Sequence, residues 1–159
     1  MRRRVIAAVA LVAGAACGTG SAADGRLLVE REAKRTTRLM YEPARADYCA
    51  ADSLLIITAI GRDRTAGFAL RVRLPLQAAR TFVVQPMLGS VGTATAAFRL
   101  PSGSGRLATA GTIRLEASGT VSGDFDVTVG DSAGTTVRFK GELHHAPVRQ
   151  LPAGACRDV

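Results

Sequence analysis

Thr112-Ile113-Arg114-Leu115-Glu116-Ala117-Ser118-Gly119-Thr120-Val121-Ser122-Gly123-Asp124-Phe125-Asp126-Val127-Thr128-Val129 opens a run that resumes as Val137-Arg138-Phe139-Lys140-Gly141-Glu142-Leu143-His144. Apolar and polar residues alternate with period two throughout, the pattern of half-buried antiparallel strands. One face carries Ile113, Leu115 and Ala117, then Val121, Gly123, Phe125, Val127 and Val129, then Val137, Phe139, Gly141 and Leu143. The other face is almost wholly polar. Three strands in a meander follow from this stretch.

Directly opposed residues of an antiparallel pair share a face and should suit each other. That predicts Phe125 opposite Phe139, Gly123 opposite Gly141, Val127 opposite Val137 and Val121 opposite Leu143. On the polar face it sets Asp124 against Lys140 and Asp126 against Arg138. The connection is then Gly130-Asp131-Ser132-Ala133-Gly134, rich in turn residues. In the preceding hairpin, Ala117-Ser118-Gly119 forms the loop, with Gly119 in the left-handed position and Leu115 opposite Val121.

Working towards the N-terminus, Leu107, Thr109 and Gly111 continue the apolar face. Pro101-Ser102-Gly103-Ser104-Gly105 is a turn, and Thr93 to Leu100 a strand with Ala94, Ala96, Phe98 and Leu100 inward. Thr81 to Gln85 is a short strand stopped by Pro86. Phe68, Leu70, Val72, Leu74 and Leu76 alternate against Arg71 and Arg73, and Pro75 belongs where that strand ends or lies on an edge. Ser53 to Ile60 is apolar on both faces, the mark of a central strand covered on both sides, and should form a hairpin with the strand after it. Leu27 to Ala33 and Thr36 to Tyr41 are expected as short edge strands whose mixed charge discourages edge-to-edge pairing, with Glu42 to Asp47 a loop. After His144-His145-Ala146-Pro147 the tail reads as coil. The chain is therefore all-β: an antiparallel sandwich or small barrel of about eight or nine strands with a C-terminal meander.

At 159 residues with 47 % apolar content, no Trp and five Phe, the chain suits one domain whose core rests on Leu, Ile, Val and Phe. Met1-Arg2-Arg3-Arg4 followed by apolar Val5 to Ala13 is an export leader, too short for a spanning helix. Two processing sites compete. Gly14-Ala15-Ala16-Cys17 looks like a lipobox, with Gly14 where Leu is usual; it would make 1–16 a signal peptide, Cys17 the lipidated residue, 17–24 a flexible tether and 25–159 the domain. Ser21-Ala22-Ala23 before Asp24 would instead release a secreted or periplasmic protein. Either leaves Cys49 and Cys156 as an even pair in a compartment that permits disulfides.

Losing Arg2, Arg3 and Arg4 takes 21 basic residues to 18 against 13 acidic ones, a net +5. Such a surface suits anionic partners as well as plain solvation.

The apolar strand from Leu54, the Arg-bearing strand after it, Gly111-Thr112-Ile113, Gly119-Thr120-Val121-Ser122-Gly123-Asp124-Phe125 and Gly141-Glu142-Leu143 together resemble small exported bacterial β-proteins, many of them lipoproteins. The resemblance covers Leu54 to Pro147. It implies a compact β-domain in the cell envelope with no assigned reaction, and it carries over no catalytic residue. Gly18, rather than Asp, after Cys17 fits outer-membrane sorting, as the likeness to lipoproteins of two-membraned bacteria implies.

Chemistry-bearing motifs are scarce. Adjacent His144 and His145 point to opposite faces of a strand and cannot share a metal. Asp124 and Asp126 have cross-strand bases to explain them. No Gly-x-Ser-x-Gly elbow occurs, Gly103-Ser104-Gly105 lacks the lysine of a phosphate loop, and no CxxC is present. Aromatics do not interleave with bases as a nucleic-acid platform requires. The expectation is a non-enzymatic protein without cofactor or metal, anchored through Cys17 and acting by binding or as a structural component of the envelope. The alternative is a soluble exported module for an anionic glycan or lipid. Arg71 and Arg73, joined by Arg62 and Arg64, form the candidate face, and an envelope protein is a further candidate partner.

Overall fold

A computed structural model describes residues 25–33, 35–61, 64–73, 80–100, 105–130, 134–152 and 155–156. The expected leader, Cys17, the expected tether, Arg62, Leu74, Pro75, Leu76 and the expected turn residues 101–104 and 131–133 lie outside the described residues. The described residues form nine strands: β1 (Gly25–Glu32), β2 (Thr36–Cys49), β3 (Leu54–Ile60), β4 (Gly67–Arg73), β5 (Arg80–Val84), β6 (Thr93–Arg99), β7 (Gly105–Ala117), β8 (Thr120–Gly130) and β9 (Thr136–Gln150). They form one mixed sheet in the order β1-β2-β3-β4-β6-β5-β7-β8-β9, and β9 returns to β1 so that the sheet closes in a ring. The ladder is continuous and not divided between two stacked sheets. Most pairs are antiparallel, but β5 runs parallel to β6 and the end of β2 parallel to the end of β9, which corrects the purely antiparallel expectation.

Closure decides the fate of β1 and β2. The sequence marks them as edges because charge alternates with apolar residues, yet β1 is hydrogen-bonded on both sides, to β2 and β9. A closed sheet has no edge to protect. The stretch from Glu42 to Asp47 is strand, not loop. The β1–β2 register shifts between Gly25 and Leu27, which pair with Ala44 and Tyr41, so Pro43 falls at an irregularity where no ladder donor is needed. β1 is described from Gly25, and past that level β2 meets β9 directly at Ala46, Asp47 and Tyr48. The tail read as coil is therefore ordered strand as far as Gln150.

The meander exists, but its register differs by two residues from the sequence reading. Phe125 lies opposite Gly141, Val127 opposite Phe139, Val129 opposite Val137 and Gly123 opposite Leu143; Ile113 faces Phe125 and Ala117 faces Val121 across the other hairpin. A two-residue shift keeps every side chain on its predicted face, so alternation alone does not distinguish the two. The deciding factor is volume. A Cβ on Gly141 would collide with the Phe125 ring and with the Leu28 carbonyl oxygen, so the glycine opposite the aromatic is what gives the ring its place. The turn is Ser118-Gly119-Thr120, and Gly119 is left-handed, φ +78°, as the sequence requires.

Two further bulges re-aim side chains. An extra residue, Thr109, sits between the pairs Ala108–Val129 and Ala110–Thr128, so Ala108 faces inward while Leu107 and Thr109 face out, against expectation. On β9 the pairing slips between Val121–Ala146 and Gly123–Leu143, with His145 at φ 50° and its N–H donated to Ser122 Oγ at 3.0 Å.

All five Phe are buried. Phe98 stacks on Phe139 with ring centroids 4.4 Å apart, and Phe68 lies 5.1 Å from Phe98 and 5.2 Å from Phe125, filling the ring's interior with aromatic volume. The β3–β4 hairpin forms as expected, Leu55 opposite Val72 through Ile60 opposite Gly67. The doubly apolar character of β3 also has its reason. Leu55, Ile57 and Ala59 enter the main core, whereas Ile56 belongs to a second cluster on the outer face with Cys49, Cys156, Leu54 and Leu151. The Cys49–Cys156 disulfide, Cα atoms 6.3 Å apart, clamps the C-terminal tail over that strand.

A basic outer face and its grooves

The ring divides into two electrostatically different halves. Across β1, β2, β8 and β9 acids and bases are interleaved, and several of them are paired. Arg38 Nε lies 2.6 Å from Glu30 Oε1, Lys140 Nζ 2.8 Å from Glu32 Oε1, and Arg149 Nε 2.8 Å from Asp47 Oδ1. Arg138 donates two hydrogen bonds to the Asp126 carboxylate. Those bonds hold the Asp126 carboxyl below its usual range against the opposing effect of burial, and the same contact raises Arg138. The pair is diagonal in the ladder, since Asp126 is directly opposite Lys140, and Lys140 turns to Glu32. Asp124 does not meet Lys140. It lies between Arg114 of β7 and Glu142 of β9.

From Ser53 to Leu115 the chain carries eight Arg, no Lys and one acid, Asp63. The segment includes all of β3, β4, β5 and β6 and most of β7, and the described residues within it contain no Asp or Glu. Arg71 and Arg73 stand on the outer face of β4, both exposed, as the alternation predicts. They are opposite Ile56 and Leu54 of β3, next to the disulfide-capped cluster, and Thr95 of β6 faces Arg71 from the other side. Arg64 occupies the β3–β4 turn, at the opposite end of β4. The three thus mark a stripe along the hairpin more than a single patch.

The sequence gives no hint of the grooves beside Arg64. Where Ile60 of β3, Gly67 and Ala69 of β4, Ala97 of β6 and Leu107 of β7 face outward together, small side chains leave a trough of about 490 Å³ between two exposed apolar walls, with Arg99 and Arg106 at its rim. Leu107 is 54 % exposed and Ile60 50 %. Leu107 reaches this position because the bulge at Thr109 turns it outward, opposite Ala97. A second hollow, about 610 Å³, shares Thr58 and Ile60 with the first and is flanked by Arg45 and Arg64, with Glu42 the acid on its wall. The loop 85–92 adds Met87, 81 % exposed, and Val91, and is fixed to the sheet by Gly92 N–H to Arg73 O and by Gln85 N–H to Ala94 O.

The histidines do not converge on anything that could hold an ion. His144 Nε2 lies 3.3 Å from Glu142 Oε2, His145 is exposed, and no cluster of three metal-ligating side chains occurs among the described residues. A third hollow, bounded by Leu28, Met40, Asp124 and Lys140, lies on the paired half, where acids and bases neutralise one another. What the basic half offers chemically is positive potential over apolar surface, which can hold an anion or an anionic amphiphile.

Comparison with known proteins adds nothing to this picture: no family model, no curated protein and no solved structure matches the chain.

Proposed function

We propose that the chain is a cell-envelope protein, exported by its leader and anchored through a lipid on Cys17, whose domain is a small filled barrel that binds an anionic partner without catalysis. The observation that carries the binding role is the run from β3 into β7, eight Arg and one acid between Ser53 and Leu115, set against an opposite half where acids and bases alternate. A protein evolving for solubility alone gains nothing from that segregation, because interspersed charge serves as well. The filled interior supports an outer-surface site over an enclosed ligand. Its polarity, apolar inside and charged outside, is the reverse of a lipid-embedded barrel, which supports a domain displayed beside the membrane.

Two experiments test the reading. Radiolabelled palmitate should enter the protein and be lost on Cys17→Ala; label that survives the substitution removes the anchor. Retention on soluble anionic polymers should weaken steeply with salt and fall in an Arg71→Gln/Arg73→Gln variant. Salt-independent retention, or none together with no vesicle binding, removes the anionic partner. Should the leader instead be cut after Ala23, the same domain acts as a soluble exported or periplasmic module.

A further inference from the structure

We infer that the basic half of the ring is a docking face for the surface of an anionic phospholipid bilayer. This deepens the reading above by naming its partner. A face made only for a soluble anion needs positive charge; this one also exposes large apolar side chains. Ile60, Val83, Met87, Val91 and Leu107 are all exposed on β3, β5, β7 and the loop 85–92, within the acid-poor segment. Arg64 and Arg99 stand at the end of β4 that carries Ile60 and Leu107, and Arg73 at the end joined to the loop of Met87 and Val91, with Thr58, Thr93 and Thr95 supplying neutral hydrogen-bonding groups along the stripe between them. Arginine beside apolar side chains, with few acids, is the composition of surfaces that settle at the headgroup boundary. The aliphatic groups enter the acyl edge while guanidinium groups meet phosphates.

Charge complementarity selects the bilayer over a second copy of the chain, because two such faces brought together would set Arg against Arg. It also selects an anionic membrane over a neutral one, since about five to ten Å of apolar penetration by a few side chains gives only weak binding without electrostatic help. The trough between Ile60 and Leu107 would then receive part of a lipid tail or glycerol backbone, with Arg99 at its rim near the phosphate.

The test is cosedimentation of the exported protein carrying Cys17→Ala, so that no lipid anchor contributes, with vesicles of phosphatidylcholine alone or mixed in equal parts with phosphatidylglycerol. Binding should require phosphatidylglycerol and weaken as salt rises. Each Arg near an anionic surface contributes roughly a fivefold change in partition, so Arg64→Gln/Arg73→Gln/Arg99→Gln should lower it by roughly a hundredfold. Met87→Ser/Leu107→Ser should lower it several-fold with the charge intact. Arg38→Gln, on the paired half, should leave it unchanged. Equal binding to both vesicles, or an Arg38 effect as large as the triple variant's, overturns the inference. Binding to soluble acidic glycans but not to vesicles would replace the bilayer by a glycan and leave the broader reading standing. Circular dichroism and the intact disulfide check that each variant is folded, and the two variant sets touch different surface positions, so a folding defect in one leaves the other decisive.

Discussion

Gly141→Ala is the sharpest probe of how this ring is assembled. A Cβ at 141 would lie 2.5 Å from the Leu28 carbonyl oxygen and 2.6 Å from Phe125 Cε1, where real Cβ contacts start near 3.0 Å. The ring could tilt, but the Leu28 carbonyl belongs to β1, which is held in the β1–β9 ladder at Leu27–Leu143, Leu28–Glu142 and Val29–Gly141. Overpacking against a fixed backbone belongs at the upper end of its usual cost, about 2–3 kcal/mol, or a fall in Tm of roughly 10 °C for a domain of this size. Gly67→Ala is the matched control. Its nearest neighbour would be Ala59 O at 3.5 Å, and the backbone there is not left-handed, so the substitution should be neutral or stabilise by about 0.5 kcal/mol through the unfolded chain. Phe125→Leu combined with Gly141→Ala should recover part of the loss, a coupling of about 1 kcal/mol, because the Leu28 oxygen remains in the way. Thermal unfolding followed by circular dichroism reads the parent, the three single variants Gly141→Ala, Gly67→Ala and Phe125→Leu, and the double variant. If Gly141 faced Gly123, the Leu28 oxygen would still resist a methyl group but the Phe125 ring would not, so the absence of any coupling between Phe125→Leu and Gly141→Ala would refute the register and the volume argument behind it.

Replacing Cys156 by Ala opens a loop spanning 107 residues of separation; the chain-entropy treatment gives about 4–5 kcal/mol as an upper value, and denaturant midpoints under oxidising conditions measure it. Ile56 loses its cover in the same variant, so dye binding to exposed apolar surface should rise while the ring's far-ultraviolet signal persists. Phe98→Ala removes a ring in contact with Phe68, Phe125 and Phe139 and should cost about 3–5 kcal/mol, read from the same unfolding curves. For Asp126 the folded carboxyl titrates below 3.8, so the unfolded state binds the proton more readily. Its contribution is present above pH about 4 and disappears as pH falls through the folded value. Asp126→Asn should therefore destabilise at neutral pH and converge with the parent in strong acid; a gap that persists there would show that charge is not the cause.

Period-two alternation made the faces legible but not the register. At Ile113, Phe125 and Phe139 the sequence placed each side chain on the correct side, yet matching like with like set Phe125 against Phe139 and glycine against glycine. Packing demanded the opposite, a large ring over an empty position. Alternation also misread Leu107 and Thr109, because a single inserted residue reverses facing and leaves no mark in composition. Closure was equally hidden in β1 and β2, whose charged residues look like edge protection and turn out to be a paired exterior. The disulfide was legible from parity alone, and Ser53 to Ile60 from its two apolar faces. Of the candidate site, Arg71 and Arg73 could be placed on one face. Ile60 and Leu107 could not be joined, since they line one trough only because β4 and β6 lie side by side and β7 folds back on β6.

That same topology explains why stability and binding can be altered separately. The paired half, β8-β9-β1-β2, contains the Arg138–Asp126 and Lys140–Glu32 bonds and the Gly141 notch, all of which lock strand to strand. On β4 and β6 the outward residues next to Arg73 and Arg99 include Gly67, Ala69, Thr95 and Ala97, small groups that make few side-chain bonds across the sheet. The aromatic stack stands between the two halves. Changes at Arg64, Arg73 or Arg99 therefore share no bonded partner with changes at Gly141 or Asp126, and their effects on stability should add to within about 0.5 kcal/mol. Arg64, Arg73 and Arg99 share none of the strand-locking bonds of the paired half, so the vesicle test on the triple variant reads the outer face and not the ladder.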